Sequence, residues 1–157
     1  RQVYAQSSSE VRNLDVEDSL AISLSFENGA VGSILGSDTA PSPWSYEATT
    51  HENPDYFSTE ENCYLFLGTL GSLAFPRMEL WRYADGNESG WQFPIKKSRN
   101  RVDCEDPLTT QLEHFCRVIK GEERPMVDGR DGTRSLSVVL AVLESIQREA
   151  PVVLAES

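Results

Sequence analysis

The order of two hydrophobic periodicities constrains the fold of this chain more than any other feature. Runs with the period of a β-strand come first, and runs with the period of an α-helix follow them. Leu20, Ile22, Leu24 and Phe26 alternate with small or polar residues, as in a half-buried strand. Strands followed by helices are typical of an α+β fold. We therefore predict a single α+β domain over residues 1–157, with about two main helices on one face of a largely antiparallel open β-sheet.

The Asn28-Gly29 pair after that run predicts a β-hairpin. Both residues tolerate positive φ, which favours a two-residue type I′ turn. This turn sets a register in which Phe26 faces Val31 and Ile22 faces Leu35. The opposite face of the hairpin then carries mainly small residues, namely Ser25, Gly32, Ser23, Ile34, Ala21 and Gly36. Such a face suits close contact with a second subunit, and it equally suits the solvent side of an ordinary sheet.

Further strand-like runs are separated by turn residues. Prolines between residues 40 and 62 indicate a long ordered loop around a short strand at residues 45–50. Other strands are predicted at residues 63–67, 72–75, 79–83 and 91–93. The turns between them contain Gly68-Thr69-Leu70-Gly71, Pro76 and Asp85-Gly86-Asn87. The basic cluster that follows is most simply a solvated loop: Lys96, Lys97, Arg99 and Arg101.

Two helices are indicated by their end signals. Asp106 is a suitable N-cap before Pro107, and Gly121 ends the first helix. Its buried stripe is predicted to be Leu108, Leu112, Phe115 and Ile119. The second helix is predicted from about residue 131 to about residue 149, before Pro151, and to be the more deeply buried. Its buried face is predicted to hold Leu136, Val139, Leu140, Leu143 and Ile146, widened by Val138 and Val142. Residues 152–154 are predicted to form a last strand.

The charge and the cysteines of the chain exclude several classes of partner. Lys and Arg number 14 and Asp and Glu number 25, which gives a formal net charge of −11. Nucleic acids and anionic membranes are bound through Lys and Arg, so we expect neither as a partner. The longest apolar run, residues 138–143, is far shorter than the roughly 20 residues that span a bilayer. Cys63, Cys104 and Cys116 show no metal-binding spacing and fit a reduced, cytoplasmic compartment.

The sequence contains no signature of catalysis or nucleotide binding. The G-x-G-x-x-G fingerprint, the P-loop and the G-x-S-x-G elbow are all missing. His114 is interpreted as an ordinary helix-face residue. His51 is the better candidate for a binding site, because its loop also contains Trp44, Glu52, Asp55 and Tyr56. The alternative is a loop that is held only by its own aromatic side chains and caps.

Several segments, taken in order, resemble one known family. In the first half they are Glu17-Asp18-Ser19, Phe26-Glu27-Asn28-Gly29-Ala30, the Trp44 loop and Gly68-Thr69-Leu70-Gly71-Ser72-Leu73. In the second half they are Asp106-Pro107-Leu108, His114-Phe115, Ile119-Lys120-Gly121, Pro125 and Asp128-Gly129-Arg130-Asp131-Gly132. In order and spacing, these segments resemble the C-terminal domain of the glucose-fructose oxidoreductase, inositol dehydrogenase and MocA family.

The resemblance implies an NAD(P)-dependent oxidoreductase that acts on a sugar, a polyol or a related compound. In that family the nucleotide lies on an N-terminal Rossmann domain, and the catalytic Lys, His and Asp precede the matched region. The chain opens at Arg1 inside a strand-like run and without an initiator Met. We therefore expect a fragment that lacks the Rossmann domain, binds no cofactor or metal, holds no catalytic residue and is inactive alone, with NAD or NADP bound by the intact protein.

The resemblance also implies which residues meet the substrate. By position, Trp44 and Tyr46 resemble the aromatic loop that reaches the substrate in inositol dehydrogenase-like members. Together with His51 and Tyr56 they are the candidate substrate-binding residues. The family likeness further implies a homo-oligomer that forms through the sheet face. Two other classes stay open: a non-catalytic ligand-binding or assembly module, and a small hydrolase centred on His51.

Overall fold

The computed structural model describes residues 2–84, 89–100, 102 and 105–154. In chain order its elements are β1 (Gln2–Ser8), β2 (Ser19–Ser25), β3 (Val31–Ser37), α1 (Tyr46–Thr50), β4 (Tyr64–Gly68), β5 (Gly71–Phe75), β6 (Glu79–Tyr83), β7 (Ile95–Arg99), α2 (Pro107–Ile119), α3 (Gly129–Arg148) and β8 (Val152–Val153). The strands form two four-stranded antiparallel sheets, which confirms the predicted α+β class. The predicted turn at residues 85–87, Arg101 and Cys104 lie outside the described residues.

The chain divides into two compact units. Unit 1 contains Arg1–Pro41 and Arg124–Ser157, and unit 2 contains Ser42–Glu123. The sheet of unit 1 has the order β3-β2-β1-β8, and that of unit 2 has the order β4-β5-β6-β7. No helix in the described residues is long and apolar enough to cross a membrane.

The core of unit 1 lies between its sheet and α3. Val3, Ala141 and Val152 are buried there, and partly buried residues surround them: Ile22, Leu24, Val138, Val142 and Leu154. Ser145 is fully buried at the same contact. Its Oγ accepts a hydrogen bond from the Ala5 amide at 3.0 Å and donates to the Ala150 carbonyl at 2.8 Å. Strand β8 pairs with Gln2 and Val3 at the start of β1 and does not extend to Ala5. The Ser145 hydroxyl therefore supplies the acceptor for the Ala5 amide.

The β2–β3 hairpin is one residue out of the predicted register. The Phe26 amide donates to the Ala30 carbonyl at 2.9 Å, so the loop has three residues rather than two. Of the Asn28-Gly29 pair, only Gly29 has positive φ, at 85°. This is the conformation of a type I turn followed by a bulge, whereas a type I′ turn needs two positive φ values. Consequently, Ser25 pairs with Val31 and Ile22 pairs with Ile34.

This shift changes which side chains of β3 share the open face of the sheet. A slip of one residue moves every side chain of a strand to the other face. Gly32, Ile34 and Gly36 therefore share the face of Ile22, the face on which α3 packs at β1, rather than the small-residue face. The exposed open face instead carries Val31 and Leu35, together with Ala21, Ser23, Ser25 and Ser33.

The caps of α3 explain where it begins, but the packed face differs from the predicted one. The Asp128 side chain accepts from the Asp131 amide at 3.0 Å, and Asp131 completes a capping box, so the helix begins two residues earlier than predicted. The buried positions are Ala141 and Ser145, flanked by Val138 and Val142. Four residues of the predicted stripe are exposed: Leu136, Val139, Leu140 and Leu143. Small side chains allow a helix to lie close to a sheet. In α3 the face that holds Ala141 and Ser145 therefore packs on the sheet, and the face that holds the larger apolar side chains does not.

Unit 2 confirms three predicted strands and corrects three other assignments. Strands at residues 63–67, 72–75 and 79–83 are observed within one residue of their predicted bounds. Residues 45–50 are not a strand, because Tyr46–Thr50 is a helix. Residues 91–93 are not a strand either, and β7 lies at Ile95–Arg99, so the basic cluster contributes to a strand rather than to a loop.

Helix α2 has the predicted bounds, but its apolar stripe is not buried. The Asp106 side chain accepts from the Thr109 amide at 2.8 Å, and Gly121 follows the helix with a φ of 74°. Its four stripe residues are between 58% and 73% exposed, and the helix buries none of its residues. The predicted packing of this stripe on a core is therefore not observed in the described residues.

Candidate functional site

The four candidate substrate-binding residues lie in residues 42–62 of unit 2, a segment that we call the aromatic loop. Ser45 begins its helix, because the Ser45 Oγ accepts from the Ala48 amide at 3.2 Å. The Thr49 hydroxyl donates to the Ser45 carbonyl at 2.9 Å, and His51 ends the helix with a φ of 61°. The hydroxyls of Ser45 and Thr49 thus bond to backbone groups within one helical turn, although threonine favours a strand by propensity. This explains why the predicted strand is a helix.

Arg77, in the turn between β5 and β6, holds the aromatic loop in place. Its Nη2 donates to the carbonyls of Thr49 at 2.9 Å and Thr59 at 2.7 Å. Its Nη1 lies 3.0 Å from the Glu60 carboxylate, and its side chain is only 14% exposed. The planar guanidinium suits several acceptors at fixed angles. A single side chain thereby fixes the end of α1 and the later part of the loop.

His51 is part of the same cluster. Its Nε2 lies 2.9 Å from the Thr59 carbonyl and 3.1 Å from the Arg77 Nη2. The two hydrogens of Nη2 are directed to the Thr49 and Thr59 carbonyls, so the tautomer with Nε2–H donating to Thr59 fits this geometry. His51 therefore positions the loop through this nitrogen.

Tyr46 packs on the sheet of unit 2. Its ring lies 6.2 Å from that of Tyr64 and 6.4 Å from that of Phe75, measured between centroids. Tyr64 and Phe75 are themselves paired across β4 and β5. The Tyr46 hydroxyl donates to the Glu52 Oε1 at 2.7 Å. This hydrogen bond to a carboxylate, with a smaller effect of burial, raises the pKa of Tyr46 to about 12.

The raised pKa of Tyr46 predicts how the loop responds to alkali. Because the folded-state pKa lies above the ordinary value of 10.0, the stabilisation is fully present below about pH 10 and is lost as the pH rises through about 12. We expect the last phenolate transition in an absorbance titration to disappear in Tyr46→Phe. In Glu52→Gln, which removes the charged acceptor, that transition should move towards pH 10. An unchanged last transition in both variants would contradict the hydrogen bond.

Trp44 and Tyr56 belong neither to the Arg77–His51 cluster nor to the packing of Tyr46 on the sheet. Trp44 is 61% exposed and Tyr56 is 56% exposed. Within residues 42–84, all of which are described, the hydrogen bonds and ring contacts of the side chains join neither residue to Tyr46 or His51. Phe57 is also exposed. The loop therefore presents apolar rings to its surroundings, while Tyr46 and His51 fix its conformation.

Arg77 and Phe57 are the residues of this site that sequence reasoning missed. Arg77 is separated by 28 positions from Thr49 and by 18 from Thr59, so no local pattern connects them. The only signal at Phe57 is its place beside Tyr56 in the proline-containing loop.

A second concave surface lies at the β4–β5 hairpin of unit 2. Its volume is about 410 Å³, and its lining includes Phe66, Leu67, Leu70, Leu73, Leu80 and Arg82. None of the four candidate residues lines it. It is an open and mainly apolar surface that does not coincide with the aromatic loop.

The described residues contain neither a dinucleotide-binding unit nor a cluster of metal-ligating side chains. Every strand pair recorded in the two sheets is antiparallel, so the described part of the chain contains no parallel βαβ unit of the dinucleotide-binding type. Nor do the described residues form a group of three or more His, Cys, Asp or Glu side chains able to hold a metal ion. What the aromatic loop offers chemically is apolar ring surface and hydrogen-bond acceptors.

The chain belongs to the family described as the oxidoreductase family, C-terminal alpha/beta domain, whose model matches residues 1–154. This is the family that the ordered segments resemble, so that prediction is confirmed. No curated protein sequence matches the chain.

Solved structures of two dehydrogenases and of one NAD-binding protein share the fold at low sequence identity. A levoglucosan dehydrogenase, solved with NADH and levoglucosan, is 18% identical with a TM-score of 0.64, over 99% of this chain and 45% of that one. The WlbA dehydrogenase from Bordetella pertussis, solved with NADH and UDP-GlcNAcA, is 19% identical with a TM-score of 0.59, over 99% and 39%. An NAD-binding protein from Listeria innocua is 14% identical with a TM-score of 0.63, over 97% and 40%. The chain thus spans less than half the length of these structures.

Proposed function

We propose that this chain is the substrate-side and oligomerisation domain of an NAD(P)-dependent oxidoreductase that acts on a sugar, a polyol or a related compound. The observation that carries this proposal is the family match over residues 1–154, combined with a loop that Arg77 holds in place and in which Trp44 and Tyr56 are exposed. NAD or NADP would be bound by a Rossmann domain of the same polypeptide, because the described residues contain no parallel βαβ unit.

In this proposal the aromatic loop binds and orients the substrate. Trp44 and Tyr56 would cover the apolar face of a ring, as aromatic side chains commonly do in small-molecule sites. Tyr46 and His51 would contribute by holding the loop, since their polar atoms already contact Glu52, Thr59 and Arg77. A rigid loop of this kind limits the positions that a bound substrate can adopt, which favours reaction.

Trp44→Ala tests the substrate-side assignment. In the polypeptide that joins this chain to its nucleotide-binding domain, we expect KM for the sugar or polyol to rise about tenfold, because an aromatic contact is lost. The Kd for NAD(P) should stay within about twofold, since that site lies elsewhere. Trp91→Ala is the matched control, because Trp91 is also an exposed tryptophan of unit 2 but lies outside the loop. An equal loss of nucleotide affinity in Trp44→Ala would contradict the assignment.

The oligomerisation part of the proposal rests on the open face of the unit 1 sheet. Leu35 is 85% exposed there, beside the exposed Val31 and small serine residues. An exposed apolar patch among small polar residues is typical of a surface that another subunit covers. A second copy of the chain is the proposed occupant, because closed symmetric pairs use the same patch on both subunits.

Leu35→Lys should therefore dissociate the oligomer. A lysine would place a charge in the centre of the contact, so we expect at least a tenfold weaker association in sedimentation velocity. Leu70→Lys is the control, since Leu70 is equally exposed but lies at the β4–β5 turn of unit 2. A wild-type monomer, or equal dissociation in both variants, would overturn this part of the proposal.

A further inference from the structure

Strand β4 is an outer strand of the unit 2 sheet, and its residues are exposed. In the order β4-β5-β6-β7, its hydrogen-bonded neighbour among the described strands is β5 alone. Its first four residues are apolar and between 48% and 81% exposed: Tyr64, Leu65, Phe66 and Leu67. An outer strand presents a row of amides and carbonyls to which a further strand can bond. β4 therefore combines an open backbone edge with an apolar surface.

The two edges of this sheet differ in charge. The other outer strand, β7, carries Lys96, Lys97 and Arg99, and charged side chains of this kind protect a sheet edge from pairing with another strand. β4 lacks such protection. Residues 62–76 include no Asp, Glu, Lys, Arg or His, and they form the longest uncharged stretch of the chain. β4 is thus the edge of the unit 2 sheet that can accept a further strand.

The β4–β5 turn decides which backbone groups of β4 point outward. Gly68 and Gly71 pair directly across a two-residue turn, so they exchange hydrogen bonds with each other. Such hydrogen-bonded pairs alternate with pairs that are not hydrogen-bonded along an antiparallel ladder. The amides and carbonyls of Leu65 and Leu67 therefore point away from β5, towards the open edge of the sheet.

The charge of the chain favours a second copy as the occupant of this edge. Each copy has a formal net charge of −11, so two copies repel each other unless they meet where neither is charged. The uncharged stretch at residues 62–76 meets that condition. β4 also complements itself. When two copies pair antiparallel about Phe66, Leu65 of each copy lies opposite Leu67 of the other, and their outward amides and carbonyls bond to each other.

The side chains of β4 suit the same register. Tyr64 of each copy would lie opposite Gly68 of the other copy. Gly68 has no side chain and lines the concave surface of about 410 Å³, so a ring has room there. An aromatic residue opposite an edge glycine stabilises a strand pair. Phe66 would lie opposite its own counterpart, and aromatic pairs across strands also add to the stability of a sheet.

We infer that two copies of the chain associate edge to edge through β4, with the two strands antiparallel about Phe66. The two four-stranded sheets would then become one continuous sheet. This contact uses different residues from the open face of unit 1 and does not depend on it. Five residues from each copy are far fewer than the roughly 20 to 30 of a standard interface, so the contact is weak. Two separate self-contacts on one chain build assemblies larger than a dimer.

Leu67→Pro tests the pairing of the strands. The polypeptide that joins this chain to its nucleotide-binding domain first receives Leu35→Lys, which weakens the unit 1 contact. Sedimentation velocity from about 1 to 500 µM, the range of weak association, should then show a reversible step from monomer to dimer. Leu67→Pro removes an outward amide that β5 does not use, so we expect a folded sheet and an association at least tenfold weaker. Leu67→Thr keeps the amide and should weaken the association less than about threefold.

Leu65→Lys is a second test, which leaves every backbone amide in place. A lysine on an outer strand opposes pairing, so we expect an association at least tenfold weaker. Leu70→Lys is the control, because it adds the same charge to the same hairpin but in the turn, outside the five paired residues. It should change the association by less than about twofold. Circular dichroism verifies that each variant is folded.

The results separate this contact from the unit 1 contact. If the Leu35→Lys polypeptide does not associate in this concentration range, the inference is overturned and the unit 1 contact still stands. Equal effects of Leu67→Pro and Leu67→Thr would also overturn it, because the association would then depend on the side chain and not on strand pairing. Equal effects of Leu65→Lys and Leu70→Lys would do the same. Loss of association in Leu67→Pro and Leu65→Lys, with both controls close to the parent polypeptide, would support the inference.

Discussion

Arg77→Met is expected to lower the free energy of unfolding by about 3 kcal/mol. The carbonyls of Thr49 and Thr59 would each lose a hydrogen bond from a charged donor, and such a bond contributes roughly 1.5 to 3 kcal/mol. Met fills much of the space of the aliphatic stem, so the loss reports mainly the guanidinium. The ion pair with Glu60 adds little, because the Glu60 side chain is 76% exposed. Urea unfolding of the wild type and the variant measures the difference.

Two arginine variants control this result. Arg77→Lys keeps the charge but lacks the planar fork, so we expect it to recover only about half of the loss. Arg12→Met removes the exposed pair with Asp38 and should cost less than about 1 kcal/mol. Hydrogen exchange at the Thr59 amide, which donates to the Ala48 carbonyl, should accelerate in Arg77→Met. A loss in Arg77→Met no larger than that in Arg12→Met would contradict its role in holding the loop.

Ser145→Val is expected to lower the free energy of unfolding of unit 1 by a similar amount, about 3 kcal/mol. The buried Ala5 amide and the Ala150 carbonyl would each lose their bond to the hydroxyl, and an unpaired buried polar group costs about 1 to 3 kcal/mol. The second methyl of Val would also crowd a fully buried position, where added volume destabilises. Thermal and urea unfolding, followed by circular dichroism, measure the loss.

Ser137→Val is the matched control for this experiment. Ser137 lies on the same helix and is exposed, and its only hydrogen-bond partner among the described residues is the Thr133 carbonyl of its own helix, at 2.9 Å. The intrinsic cost of a β-branched residue in a helix is common to both variants. We expect the control to change stability by no more than about 0.5 kcal/mol. Equal losses in the two variants would mean that the Ser145 hydroxyl does not hold α3 to the sheet.

The sequence predicts best those features whose causes are local. Asp106 and Gly121 mark the ends of α2 because a cap acts on amides and carbonyls within one turn. The Gly68–Gly71 turn is likewise observed where the glycines predict it. These signals depend on neighbouring residues alone, so the positions of most helices and strands can be predicted from the local sequence.

Features that depend on distant contacts are not predicted. The hairpin register changes because a bulged three-residue loop uses the same Asn28-Gly29 pair as a two-residue turn. The packed face of α3 is selected by how closely Ala141 and Ser145 approach the sheet, which hydrophobic periodicity does not measure. At the candidate site, the sequence identifies the exposed aromatics of the loop, but it gives no sign that Arg77 bonds to Thr49 and Thr59.

The intact mass of the native polypeptide that contains this sequence is the most direct test of the proposed function. An oxidoreductase whose substrate side is this 17.5 kDa chain needs a separate nucleotide-binding domain of ordinary size. We therefore predict a mass of about 35 to 45 kDa for the polypeptide isolated from its own source. A mass near 17.5 kDa would contradict the proposal and would favour a binding or assembly module that acts alone.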